Sequence, residues 1–300
     1  MVKECAKRKF IITGLTLLIF LFTMLCPQVE SNQANIHISY QNGTLTPVYL
    51  LDSASYVART NLMLKETQLT SQVKEILSVL TIDSPSSIYI PTLFTPVIPK
   101  NTKILGIDIQ DKIAKINFDS TFLSVSSTSA SKMIECIVYS LTEFAEIDGV
   151  LLYVDGTLLE EIPHTQEKLS LPLTRAMGVN KVYSLQKISG AVSTTTYYIA
   201  KEEGVTYYVP VTLISNDEKE KIEIVIDRLK TRPNLQANLM SYLHANTELT
   251  HFELLEQEVI LSFNPFLYEG LSNTEMIEEV KYSIALSVKD SFQVSKVTIQ

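Results

Sequence analysis

Four histidines, His37, His164, His244 and His251, and three cysteines, Cys5, Cys26 and Cys136, are the side chains in this 300-residue chain best suited to metal binding or nucleophilic chemistry. Their spacing supports neither. No two histidines stand at the i, i+4 interval that aims two imidazoles at one ion, and no His-Glu-x-x-His run occurs. His244 and His251 are seven apart, with a boundary between elements expected between them. Cys136 is alone beyond residue 30, which excludes an internal disulfide framework and a cysteine-type zinc site there. A Gly-x-Ser-x-Gly elbow and a phosphate loop are both absent, and glycine is scarce at nine.

Carboxylates are plentiful but isolated. Glu160 and Glu161 are adjacent without a His or Cys beside them. The acidic run at 215–221 lacks calcium-loop spacing. It reads as a helix start, with Asn216 or Asp217 as the cap and acidic residues at the positive end of the helix dipole. Tyr153–Gly156 reads as a strand end and turn, and Asn42–Thr44 as turn chemistry. The residues predict no catalytic group, no metal ligand and no cofactor. Tyr197-Tyr198 and Tyr207-Tyr208 lie in strand-like runs, where neighbours point to opposite faces. One of each pair is expected inside and the other outside, as a partner contact or as an ordinary half-buried strand tyrosine.

The first 30 residues have their own character. Lys3, Lys7, Arg8 and Lys9 precede an uncharged apolar run, Phe10–Leu25. This pattern reads as an export signal or membrane anchor that keeps the basic end inside. Cys26 is the candidate lipidation site, although Leu25 is bulky where lipoprotein processing favours a small residue. Cleavage after Val29–Ser31 and an uncleaved anchor are the other two outcomes. The remainder carries 21 basic against 31 acidic residues, a net charge of −10, so a nucleic-acid footprint is absent. It is expected on the exported face of the cell membrane, standing off the lipid and meeting proteins or small molecules.

Beyond the leader the chain is written twice. Met133–Leu141 (MIECIVYSL) matches Met276–Ile284 (MIEEVKYSI). Ile116 and Phe118 pair with Leu261 and Phe263, and Phe122-Leu123 with Phe266-Leu267 across a one-residue gap. Val73, Ile76, Leu77 and Leu80 share the spacing of Ile222, Val225, Ile226 and Leu229, which puts four apolar side chains on one helical face. Alternation around Gln110–Lys112 and Glu256–Glu258 marks two hairpins. Each half therefore reads strand, strand, helix, strand, strand, helix, strand. The fold class is α/β (α+β): two tandem small modules, each a β-sheet with two helices packed on it. The boundaries are 1–30 for the leader, 45–156 and 194–300 for the modules, and 157–193 for a connector too hydrophobic to hang free. Met133, Ile137 and Ser140 form the packing stripe of the repeated helix. Cys136, replaced by Glu279, and Val138, replaced by Lys281, are expected on its outer flank.

Four stretches, 98–118, 133–144, 149–156 and 171–183, resemble the tandem GerMN-domain family in their order and setting. That resemblance implies a fold like the ring-building modules of secretion-type assemblies. It also implies a lipoprotein of the outer membrane face, linked to a channel complex between mother cell and forespore and to germination. The expected partners are membrane proteins of a cell-envelope complex, with self-association into rings. The expected function is a tethered, non-catalytic assembly protein. The alternative is a ligand-binding envelope lipoprotein with its site between the two modules.

Overall fold

The computed structural model describes residues 44–300 apart from 188, 232, 234–238 and 272. Cys26, His37 and the apolar run therefore lie outside the described residues. Among the described residues, no helix is long and apolar enough to cross a membrane.

The first half runs β1 (Thr44–Leu51), β2 (Val57–Leu64), α1 (Leu69–Val79), β3 (Ile104–Gln110), β4 (Ile113–Phe118), α2 (Ser127–Leu141) and β5 (Gly149–Val154), followed by a short β6 (Thr157–Leu158). The stripe predicted for α1 is formed: Val73, Ile76, Leu77 and Leu80 are all fully buried. Asp111 and Lys112 turn the β3–β4 hairpin with φ of 50° and 60°, the left-handed geometry that tight hairpin turns require. After β7 (Val182–Ser184), the second half repeats the order: β8 (Val192–Glu202), β9 (Val205–Ser215), α3 (Lys221–Leu229), a two-residue β10 (Leu239–Met240), β11 (Leu249–Leu254), β12 (Glu258–Phe263), α4 (Thr274–Phe292) and β13 (Lys296–Ile299). In each half the final strand lies parallel to the strand before the long helix, β5 on β4 and β13 on β12.

Strands of one half divide between two sheets. Each half keeps a small sheet, β3-β4-β5-β6 or β11-β12-β13, while its opening hairpin joins a shared six-stranded sheet ordered β1-β2-β9-β8-β10, with β7 also on β9. The halves meet in that sheet where Arg59 of β2 stands opposite Tyr208 of β9. Sharing explains the tyrosines. Tyr197 and Tyr198 are both buried, as is Tyr207, and Tyr208 is half-buried. The expected inside-outside split fails at Tyr197-Tyr198, where protein covers both faces of the strand, while Tyr207-Tyr208 keep it, with Tyr208 as the half-buried strand tyrosine.

Two further expectations are corrected. Asn216 and Asp217 do not cap α3: its N-cap is Glu220, without a side-chain bond. Asn216 Oδ1 instead accepts from the backbone of Gln186 and Lys187, fastening the connector, and Asp217 accepts from Lys219 N. Cys136, Val138 and Glu279 are not on an exposed flank but buried. Helix α2 packs on β1, β2, β5 and α1 at once, and the connector closes over it, with Asn180 N donating to Glu135 Oε2.

The serines of the long helices have a specific task. Ser140 Oγ of α2 accepts from Tyr49 N on β1 at 2.9 Å, and Ser287 Oγ of α4 accepts from Tyr197 N on β8 at 2.8 Å. Ser283 Oγ donates to Tyr197 O, and Ser291 Oγ both donates to Thr195 O and accepts from Thr195 N. Buried strand-edge backbone must find partners somewhere. Here a row of hydroxyls one helical turn apart supplies them. Ser287→Ala leaves a buried N–H without its acceptor, and urea unfolding is expected to show a loss of about 1–3 kcal/mol. The exposed Ser193→Ala should stay within about 0.5 kcal/mol of the parent.

Candidate functional site

The charged centre of the molecule is Arg175, carried by a short 3-10 turn of the connector, Arg175–Met177. Its Nη2 donates to Glu143 Oε1 at 2.7 Å and to Tyr139 O at 3.0 Å. Its Nη1 donates to Asp290 Oδ1 at 2.7 Å, Tyr197 Oη at 3.2 Å and Tyr49 Oη at 3.4 Å, while Nε reaches Thr142 Oγ1 at 2.9 Å. Glu143 follows α2 of the first half, and Asp290 belongs to α4 of the second. One guanidinium thus holds a carboxylate from each half.

The arrangement is doubled. Tyr49 Oη donates to Glu143 Oε1 at 2.8 Å, and Tyr197 Oη donates to Asp290 Oδ2 at 2.6 Å. The two phenol oxygens sit 2.9 Å apart. Each phenol gives its single proton to its own carboxylate, and Arg175 Nη1, with one proton on Asp290, shares its other between the two phenol oxygens. Arg59 adds a second cation, with Nε 3.3 Å from Glu143 Oε1. The rings of Tyr49 and Tyr139 lie within 5.4 and 4.8 Å of the Arg175 guanidinium carbon, a cation–π arrangement.

Burial sets the electrostatics. It alone would raise the carboxyl pKa of Glu143, but the charges of Arg175 and Arg59 and the Tyr49 hydrogen bond outweigh it and bring the value down to about 2. Burial opposes the charge of Arg175 as well. Asp290, and then the phenols and Glu143, overcome that and hold it firmly protonated. Burial pushes the phenols of Tyr49, Tyr139 and Tyr197 above their ordinary range. The shifts of Glu143, Arg175 and the three phenols all lead away from proton exchange near neutral pH. The cluster is built for cohesion, and it occupies the junction where the alternative reading places a ligand site between the halves.

A second joint lies a few residues along the connector. Asn180 Nδ2 donates to Val57 O of β2 and to Pro210 O of β9, and its Oδ1 accepts from Val57 N. Gly178 precedes it with φ +74°, where a Cβ would stand 2.9 Å from the Thr212 side chain. The connector therefore staples the two hairpins from the same stretch that supplies Arg175.

The residues singled out from sequence lie elsewhere. Cys136 is fully buried, and burial raises its thiol pKa well above the usual range. His164 Nε2 lies 2.6 Å from Leu123 O, His244 stacks on Phe266, and His251 stands on exposed β11, 3.8 Å from Glu253. Glu161 bridges to Lys168 through the backbone. The structure brings none of them together. The sequence signal that was missed is a matched Ser-x-x-acid: Ser140 to Glu143, and Ser287 to Asp290. The literal match of 133–141 to 276–284 sets the repeat one helical turn away from the register that the shared contacts define. In that register Ser140 corresponds to Ser287, while the strand pairing of Phe118 with Phe263 continues to the buried Phe122 and Leu267 without a gap.

Residues 47–160 match the Germane family, described as sporulation and spore germination. Over 259 residues the chain is 29% identical to the spore germination protein GerM of Bacillus subtilis (strain 168), covering 84% of this chain and 70% of that protein. The solved tandem GerMN domains of the sporulation protein GerM from Bacillus subtilis superpose with a TM-score of 0.76 at 27% identity, over 86% of this chain and 90% of that one. The fold is that of a tandem GerMN-domain protein. Within the tandem GerMN fold, the connector carries the Arg175 turn and the Asn180 staple that hold the two halves together.

Removing Arg175 leaves Asp290 and two phenols without their cation, and Glu143 with Arg59 alone. Arg175→Met is expected to cost about 3–5 kcal/mol in denaturant unfolding. Arg175→Lys should recover little, because one ammonium cannot span both carboxylates. Glu143 gives a pH signature. Its folded pKa lies below the unfolded value, so its stabilisation is complete above about 4.5 and is lost as pH falls towards 2. The loss is on the order of 3 kcal/mol. Unfolding free energies measured from pH 6 to pH 2 should fall accordingly, and less steeply in Glu143→Gln.

Proposed function

We propose that this protein is an exported, membrane-tethered, non-catalytic scaffold that acts in sporulation or spore germination by associating with other envelope proteins. The similarity to GerM and to the Germane family supports the biological setting. The basic, apolar leader supports export and tethering, through a signal anchor or through lipid on Cys26. The observation that carries the non-catalytic reading is the Arg175 cluster. Its acids are held by ion pairs and phenol hydrogen bonds, and Arg175 and Glu143 keep only 13% and 10% of their side-chain surface exposed, so the cluster offers no free acid or base to a substrate.

A scaffold needs a fixed shape more than a reactive group. Joining the hairpins of both halves in one sheet, and bracing them through Arg175 and Asn180, fixes the two small sheets as parts of one body. Heterologous contacts between such bodies close into rings when the rotation suits. Deleting the gene should lower spore yield or germination, and the tethered full chain should cross-link in cells to itself or to a membrane protein of the envelope. A strictly monomeric, uncross-linked chain in cells that still sporulate and germinate normally would overturn the reading.

A further inference from the structure

Glu135 of α2 is buried against the connector, at 4% exposure. Its Oε2 accepts from Asn180 N at 3.2 Å, and its Oε1 lies 3.3 Å from Ser131 Oγ, one helical turn earlier. Acids at comparable depth beside the long helices each have a cation. Glu143 has Arg175 and Arg59, Asp290 has Arg175, and Glu279 has Lys201 at 2.7 Å. The two lysines nearest Glu135 are engaged elsewhere. Lys132 Nζ of α2 donates to Ser55 O, and Lys181 Nζ of the connector lies 3.9 Å from Glu167 Oε1.

The partners of Glu135 suit a neutral acid. A carboxylate can only accept, whereas a protonated carboxyl accepts at one oxygen and donates from the other. Asn180 N–H is a fixed donor and Ser131 Oγ can accept, so the neutral form satisfies both. Burial raises the carboxyl pKa above its ordinary value, outweighing Asn180 N, Lys181, Ser131 and Lys132, which all lower it. Cys136 and Tyr139 of α2 also lie within its field. From the elements packed on α2, Asp52 accepts from Tyr56 N, Arg59 is paired with Glu143, and Glu75 accepts from Lys65 N.

We propose that Glu135 is a proton-dependent latch on the junction of the two halves: the neutral acid holds the connector on α2, and ionisation loosens it at Asn180. The coupling is direct. Asn180 N is held by Glu135, and the side chain of the same residue bonds Val57 N, Val57 O and Pro210 O, one hairpin from each half. The sign is opposite to that of Glu143. A folded pKa above the unfolded one gives stabilisation that is complete below about 4.5 and is lost as pH rises through the folded value. The latch requires nothing of the scaffold reading.

The test is hydrogen–deuterium exchange of the full chain from about pH 4 to about pH 8, each rate divided by the intrinsic rate at that pH. The Asn180 amide reports the latch, and the Val57 amide, which donates to Asn180 Oδ1, reports the staple. Protection of both is expected to fall together, several-fold, around a midpoint above about 4.5. In Glu135→Gln, whose neutral amide accepts from Asn180 N and donates to Ser131 Oγ, both profiles should be flat while β4 amides stay protected. If that variant does not protect β4, Glu135→Met supplies a neutral side chain of similar length, and flatness of the profile is again the readout. Constant protection in the parent, or a midpoint at or below about 4.5, overturns the proposal. An equal fall in Glu135→Gln also overturns it, and assigns the titration to Asp52, which bonds the residue before Val57.

Discussion

One guanidinium shared by two halves is the constraint on which the structure depends. Arg175 binds Glu143 from the first half and Asp290 from the second, each at 2.7 Å, inside a shell of buried phenols. Charges taken out of water at this depth are tolerated only when each donor and acceptor finds a partner in good geometry. That requirement reaches outward. It fixes where α2 and α4 end, because the acids must arrive together. It fixes the facing positions of Tyr49 and Tyr197, because their hydroxyls complete the acids. It also fixes the path of the connector, because the cation comes from neither repeat.

The serines extend the same logic to the sheet. Ser140 and Ser287 bond the backbone of the tyrosine whose hydroxyl meets the acid three residues further along the chain. A single strand residue is thus held at its N–H and at its phenol tip by one helix. This couples helix register to strand register, and a slip of one turn would cost both bonds. Duplication followed by fusion of the hairpins into one sheet turns two modules too small for large cores of their own into a body with a continuous interior. A smaller second cluster lies under α3, α4 and β12.

Rigidity of this kind suits the scaffold role proposed above. The two small sheets share a strand order, β3-β4-β5 and β11-β12-β13. In the first half the chain covers its own parallel strand edge. In the second half that edge is bare among the described residues.

Sequence alone determined the order of elements, because periods of 2 and 3.6 are local properties of the chain. Val73, Ile76, Leu77 and Leu80 announce a helix, and the alternation through Ile116 and Phe118 announces a strand, without reference to anything distant. It also revealed the duplication and the packed nature of the connector. Tertiary structure decided which copies touch and in which register. The match of 133–141 to 276–284 is the stronger string, yet Ser140 and Ser287 are the equivalent pair, since equivalence is set by contacts with Tyr49 and Tyr197 about ninety residues away. Nor do patterns around Tyr197-Tyr198 say that both faces of their strand are covered, because the covering elements come from both halves. Arg175 is one of many charged residues until the fold brings two acids, 32 and 115 positions distant, to its two ends. Local pattern reports what a segment can become; only the closed chain decides which charges must share one buried space.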